Sequence, residues 1–140
     1  VRVYFDTSVL VPLISYDHFN DRVLDFMERV QPVAVVSDFA SAEVSSVIAR
    51  RVRTGDLTAD EGREAFTNFD VWVQQQARQT TVEPTDIRLG EQFVRRLDLT
   101  LRAPDAIHIA MALRLDIAIA TLDTGLLAAA QRLGCKVIKP

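Results

Sequence analysis

An α/β sandwich around a mainly parallel sheet is predicted for this 140-residue chain by three observations. Short apolar runs alternate with helix-period segments along the whole length. Most of those runs are continuous and rich in β-branched residues, as in strands buried on both faces. No linker, repeat or low-complexity stretch breaks the alternation, so a single domain over residues 1–140 is expected.

The first run, Val1–Phe5, reads as a buried strand. Asp6-Thr7-Ser8 supplies N-cap chemistry to a short helix over Val9–Ile14, with Pro12 in its first turns. From Asp17 to Val30, Phe19, Val23, Phe26, Met27 and Val30 recur at spacings of three and four and predict a second helix, ended by Pro32. Val33–Val36 is the next strand. Ser37 or Asp38 caps a longer helix through Arg53, closed by Gly55. Thr58-Ala59-Asp60-Glu61 is a capping box for a helix to about Gln76. A short strand is expected at Thr80–Glu83, after which Thr85 caps a helix to about Leu97. Pro104 suits the first turn of a helix reaching about Leu115. Ile117–Thr121 is a strand, Thr124–Leu133 a helix ended by Gly134, and Lys136–Ile138 the last strand.

Apolar residues make up 49% and charged residues 25%, an ordinary globular composition. Cys135, the single cysteine, cannot form an internal disulfide and reads as an inert, partly buried thiol of a reducing compartment. No apolar run approaches the roughly 20 residues of a membrane span. Val1–Phe5, broken by Asp6, is too short for a signal peptide, so a cytoplasmic protein is expected. A net charge of −3 and a pI near 5.3 argue against a basic module that coats nucleic acid through bulk charge. They leave room for a nuclease, whose metal-holding acids lower the pI.

In parallel α/β sheets, ligands gather beyond the carboxyl ends of the strands. Asp6 ends the first strand and Asp123 follows the strand at Ile117–Thr121. Asp105 lies in the first turn of the helix introduced by Pro104. Glu43 lies inside a helix whose neighbours Phe39, Ala40, Val44 and Val47 mark the inner side, where acids seldom stand without a partner. Each has a purely structural alternative. Asp6 and Asp123 suit helix caps, Asp105 suits the positive end of its helix, and Glu43 could pair with an arginine.

Brought together, these acids carry chemistry. Two like charges about 4 Å apart repel by roughly 4 kcal/mol at an effective dielectric of 20. Four need a hard cation or raised pKa values, and all-oxygen ligands point to Mg²⁺ or Mn²⁺. Zinc is disfavoured by one cysteine and only His18 and His108. Such an ion suits phosphodiester hydrolysis.

Four segments carry a family resemblance: Val3-Tyr4-Phe5-Asp6-Thr7-Ser8-Val9-Leu10, Ser41-Ala42-Glu43-Val44, Pro104-Asp105-Ala106-Ile107-His108-Ile109-Ala110 and Ala120-Thr121-Leu122-Asp123. Through them the chain resembles the PIN-domain nucleases, in particular the VapC-type toxins of bacterial toxin–antitoxin pairs. The resemblance runs over essentially the whole chain. It implies a PIN-like three-layer sandwich, Mg²⁺ or Mn²⁺ dependence, endoribonuclease activity on RNA, a homodimer, and inhibition by a small cognate antitoxin. By the resemblance Asp6 and Asp105 are the principal metal ligands, and Glu43 and Asp123 complete the site directly or through water. Thr7, Ser8 and Thr121 match hydroxyl positions beside those acids. His108 shares a helix face with Asp105, and a packed helix histidine is the preferred reading over a catalytic one.

Phe5-Asp6-Thr7-Ser8 and Leu122-Asp123-Thr124-Gly125 also look like aspartic-protease loops, but each runs into an apolar helical stretch and the chain is too short for two lobes. A haloacid-dehalogenase phosphatase needs a second aspartate where Ser8 stands. A response-regulator receiver needs one where Ser37 stands, and a late lysine that is missing before Lys136. The remaining rival is a catalytically silent module of the same fold that binds RNA or protein. For RNA phosphates, Arg50, Arg51, Arg53 and Arg102 are the candidates, although a solvated helix face or an antitoxin contact fits the first three equally well.

Overall fold

Strand β1 (Arg2–Phe5) is central in the computed structural model, which describes residues 1–15 and 17–140. It pairs with β2 (Val33–Ser37) on one side and β4 (Ala118–Ala120) on the other. Outside them lie β3 (Ala77–Thr80) and β5 (Val137–Ile138), giving the order β3-β2-β1-β4-β5 with every pairing parallel. The chain moves outward from β1 to β3 and then returns to β4 at the opposite side of β1. That reversal makes the carboxyl ends of β1 and β4 the switch point of the sheet, where a crevice opens.

The period-2 geometry of β1 divides two cores. Val3 and Phe5 join Ala34 and Val36 in a core with α1 (Thr7–Ile14), α2 (Asn20–Val30), α3 (Asp38–Arg53) and α4 (Ala59–Gln76). Tyr4, Val35 and Ile119 point the other way, toward α6 (Ala103–Leu115), α7 (Thr124–Arg132) and Phe93 of α5 (Pro84–Arg95). The predicted three-layer sandwich is therefore what forms. Helix α6 is buried along Ala106–Ala112, matching an apolar sequence with little sidedness. Among the described residues, no helix is long and apolar enough to cross a membrane. Cys135 is buried as expected, and burial pushes its thiol up to about 11.

Local chemistry sets most boundaries. Ser37, not Asp38, caps α3, its Oγ accepting from Ala40 N at 2.9 Å. Thr58 and Glu61 form the predicted capping box of α4. Helix α2 begins at Asn20 rather than Asp17, because Asp17 Oδ1 accepts from Phe19 N at 2.8 Å and holds a turn ahead of it. Helix α5 begins at Pro84, with Glu83 rather than Thr85 in the cap position, and Glu83 N–H donates to Asp86 Oδ2 at 2.8 Å.

The strand expected at Thr80–Glu83 lies earlier. It follows α4 without a loop, with Ala77 serving as both helix C-cap and first strand residue. Its polar sequence carries no strand signal. Pairing with β2, in the register Val35↔Arg78, Val36↔Gln79 and Ser37↔Thr80, is what imposes the extended form on this edge.

Candidate active site

Asp6 leaves β1 at the switch point and caps α1. Its side-chain Oδ1 accepts from Ser8 Oγ at 2.6 Å and Val9 N at 3.3 Å, and Oδ2 accepts from Thr121 Oγ1 at 2.6 Å. The cap reading was correct but incomplete, since this 3%-exposed carboxylate also lines a pocket of about 180 Å³. Thr7, Ser8, Glu43, Arg102, Asp105, His108 and Asp123 line the same pocket. All four sequence-selected acids thus reach one cavity.

Each acid is delivered by a different element. Glu43 extends from the second turn of α3, and its Oε1 accepts from Thr7 Oγ1 at 2.8 Å and from His108 Nε2. Asp105 stands in the first turn of α6. Asp123 caps α7, with Oδ1 accepting from Gly125 N at 2.8 Å and Leu126 N at 3.0 Å. The hydroxyls knit these ends together. Ser8 Oγ accepts from Leu122 N at 2.8 Å, and Thr121 Oγ1 accepts from Asp123 N at 3.0 Å.

The electrostatics record that the acids share a field. Burial pushes Asp6 above the ordinary carboxylate range, against the hydroxyls of Ser8 and Thr121 that hold it down. Burial also raises Asp105, and the Asp123 and Glu43 carboxylates raise it further, while Arg102 opposes them. Burial lifts Glu43 too, but the His108 hydrogen bond, with Thr7 and Arg102, outweighs it and leaves its carboxyl below the usual range. Asp105 is half-buried and has no hydrogen-bond or ion-pair partner among the described residues.

The donor set fits a hard divalent cation. It offers carboxylate and hydroxyl oxygens, with Asp105, Asp123 Oδ2 and Glu43 Oε2 lacking protein partners among the described residues. As the side chains stand, no three acids, histidines or cysteines among those residues are arranged to hold an ion. The fit is therefore one of chemistry and placement, with Asp6 and Glu43 occupied by donors of the chain itself.

The predicted arginines divide. Arg102 lines the acid pocket. Arg51 donates to Ser15 Oγ at 2.8 Å, approaches Asp17 at 3.8 Å and borders a neighbouring groove of about 410 Å³. Arg50 and Arg53 are exposed on α3 and line neither. Sequence reasoning missed the partnership of His108 with Glu43. The available signal was a histidine inside the apolar run Ala106–Ala112, since a buried imidazole must find hydrogen-bond partners.

A parallel α/β sandwich with four carboxylates at its switch point defines the class to which this protein belongs. A model of the PIN domain matches residues 3–138, and the chain belongs to that family. Solved structures share the fold at low identity. VapC20 of Mycobacterium tuberculosis, described as a sarcin-ricin loop cleaving toxin, is 18% identical with a TM-score of 0.74, covering 91% of this chain and 94% of its own. VapBC2 from Rickettsia felis, bound to a DNA fragment from its promoter, is 10% identical with a TM-score of 0.74, covering 99% and 98%. FitAcB from Neisseria gonorrhoeae is 18% identical with a TM-score of 0.68, covering 97% and 96%. No curated protein matches at a significant level.

Proposed function

We propose that this chain is a Mg²⁺- or Mn²⁺-dependent endoribonuclease and the toxin of a toxin–antitoxin pair. The observation that carries the reading is Asp105, a half-buried carboxylate without a partner among the described residues, whose neighbours across the pocket are also acids. A bound divalent ion supplies Lewis-acid polarisation of a phosphoryl oxygen and acidification of a water. Asp6 and Asp105 would be its principal ligands, with Glu43 and Asp123 completing the site, and Asp105, Asp123 Oδ2 and Glu43 Oε2 are oxygens without chain partners among the described residues. Ser8 and Thr121 hold the Asp6 carboxylate in a fixed rotamer, and Arg102 is the cation beside the pocket for a substrate phosphate.

An internal cut in a polymer needs an open path on both sides of the scissile bond. The acid pocket is flanked by two grooves. The one of about 410 Å³ shares Thr7, Ser8 and Asp123 with it, and one of about 530 Å³ shares Arg102, Asp105 and Asp123. Similarity to toxin–antitoxin proteins such as VapBC2 supports a cognate antitoxin as partner, and the family resemblance supports a homodimer in the cytoplasm.

One observation favours the silent-module reading: no three acids stand ready to hold an ion among the described residues. A titration separates the two. Calorimetry should show Mn²⁺ binding, and the purified protein should cut single-stranded RNA only with Mg²⁺ or Mn²⁺. Asp6→Asn and Asp105→Asn should each lower cleavage by at least about 100-fold with the fold retained. Intact RNA under every metal, with no Mn²⁺ binding heat, would establish the silent module instead.

A further inference from the structure

We propose that Tyr4 and His108 form a buried positioning relay that sets which oxygen of Glu43 faces the pocket. The relay rests on the site reading given above only in its consequence for metal binding. Its geometry stands by itself.

The hydrogen-bond directions follow from counting protons. Ala40 N–H donates to Ser37 Oγ at 2.9 Å, as the cap of α3. Ser37 Oγ lies 2.8 Å from Tyr4 Oη, and Tyr4 Oη lies 2.6 Å from His108 Nδ1. His108 Nε2 meets Glu43 Oε1, and an ionised carboxylate can only accept. Nε2 therefore carries a proton. In a neutral imidazole Nδ1 is then the acceptor, Tyr4 donates to it at 2.6 Å rather than to Met111 Sδ at 3.5 Å, and Ser37 donates to Tyr4. One unbroken direction results, from Ala40 N–H through Ser37, Tyr4 and His108 to Glu43. Every bond in it points proton-first toward the carboxylate. Tyr4, Ser37 and His108 are each no more than 2% exposed, so water does not compete.

The elements explain why the relay is rigid. Tyr4 is in the central strand, Ser37 ends its neighbour, and His108 lies in the buried part of α6, packed between Tyr4 and Phe39 with ring centroids 5.6 and 5.1 Å away. Glu43 Oε1 is thereby held by His108 on one side and by Thr7 on the other, leaving Oε2 for the cavity. Residues that orient a metal's ligands from behind typically govern affinity or activity by about 10–100-fold. His108 and Tyr4 touch neither substrate nor ion in this scheme. They are positioning residues.

Two readouts on the full chain test this. In metal-free protein, ¹⁵N NMR of the His108 ring should show a pyrrole-type Nε2 and a pyridine-type Nδ1, with His18 as the internal comparison. This measurement needs no variant and no metal, so it is independent of whether the chain is a nuclease. Calorimetric Mn²⁺ affinity should fall about 10–100-fold in His108→Leu and be largely restored in His108→Gln, whose amide places an N–H near the Nε2 position. Tyr4→Phe should leave the Nε2 proton in place, since Glu43 still requires it, but free the ring from its Nδ1 anchor and weaken Mn²⁺ in the same direction. A protonated Nδ1 in the wild type overturns the relay. So does a His108→Leu protein that binds Mn²⁺ within twofold of wild type. Failure of wild type to bind Mn²⁺ would instead remove the proposed function, leaving the tautomer to decide the relay.

Discussion

Thr121 Oγ1 donates to Asp6 Oδ2 at 2.6 Å, joining residues 115 positions apart in the chain. Through this bond the end of β4 clamps the end of β1, and the same hydroxyl accepts from Asp123 N at 3.0 Å. One side chain thus ties two of the four acids to each other.

Replacing Thr121 by valine, which keeps the shape, should strip a donor from a buried carboxylate and an acceptor from Asp123 N. A loss of about 1–3 kcal/mol is expected in urea unfolding. Thr121→Ser should recover most of it. Equal stability of Thr121→Val and wild type would show that the clamp contributes nothing.

Arg114 grips Asp86 through Nε and Nη2 at 2.9 and 3.0 Å, joining α6 to α5. Asp86 is 2% exposed. Arg114→Met should leave that charge uncompensated and cost roughly 3 kcal/mol. The double variant with Asp86→Leu should be more stable than Arg114→Met alone, as a double-mutant cycle in denaturant would record.

Gly90 of α5 lies directly against Ile107 of α6. A Cβ there would sit 3.1 Å from Ile107 Cγ1 and 3.2 Å from Ile107 N, and backbone cannot easily yield. Gly90→Ala should lower Tm, with overpacking of about 1–3 kcal/mol exceeding the helix-propensity gain of about 1 kcal/mol. A higher Tm would mean that the helices can part at little cost.

The raised Asp105 carboxyl has a signed consequence for pH. In the unfolded chain it ionises near the ordinary value of about 4, while burial, Asp123 and Glu43 keep it protonated to higher pH in the fold. Between those two values the native state binds more proton, so stability falls as pH rises through the window and stays reduced above it. The Tm difference between Asp105→Asn and wild type, measured with chelator present, should therefore grow in favour of Asn from about pH 4 upward. Adding Mn²⁺ to wild type should reverse that difference at neutral pH. A pH-independent difference would show that neither burial nor the acidic neighbours raise the Asp105 carboxyl.

The fold was legible because strand runs and helix caps are local properties. Asp6, Asp123 and Asp105 were legible for the same reason, since each stands at a strand or helix end that its own neighbours define. Strand β3 was misplaced, because Ala77–Thr80 has no strand-forming character and is held extended by its partner.

Chain order therefore determined most of the elements, the sheet class and the choice of the four acids that line one pocket. Tertiary structure alone decided their company. It joined Glu43 to His108 rather than to an arginine, set Tyr4 behind that histidine, and left Asp105 without a partner among the described residues. The physical reason is distance along the backbone. Hydrogen bonds between residues 65 or 104 positions apart depend on how packed layers bring side chains together, which no local pattern encodes.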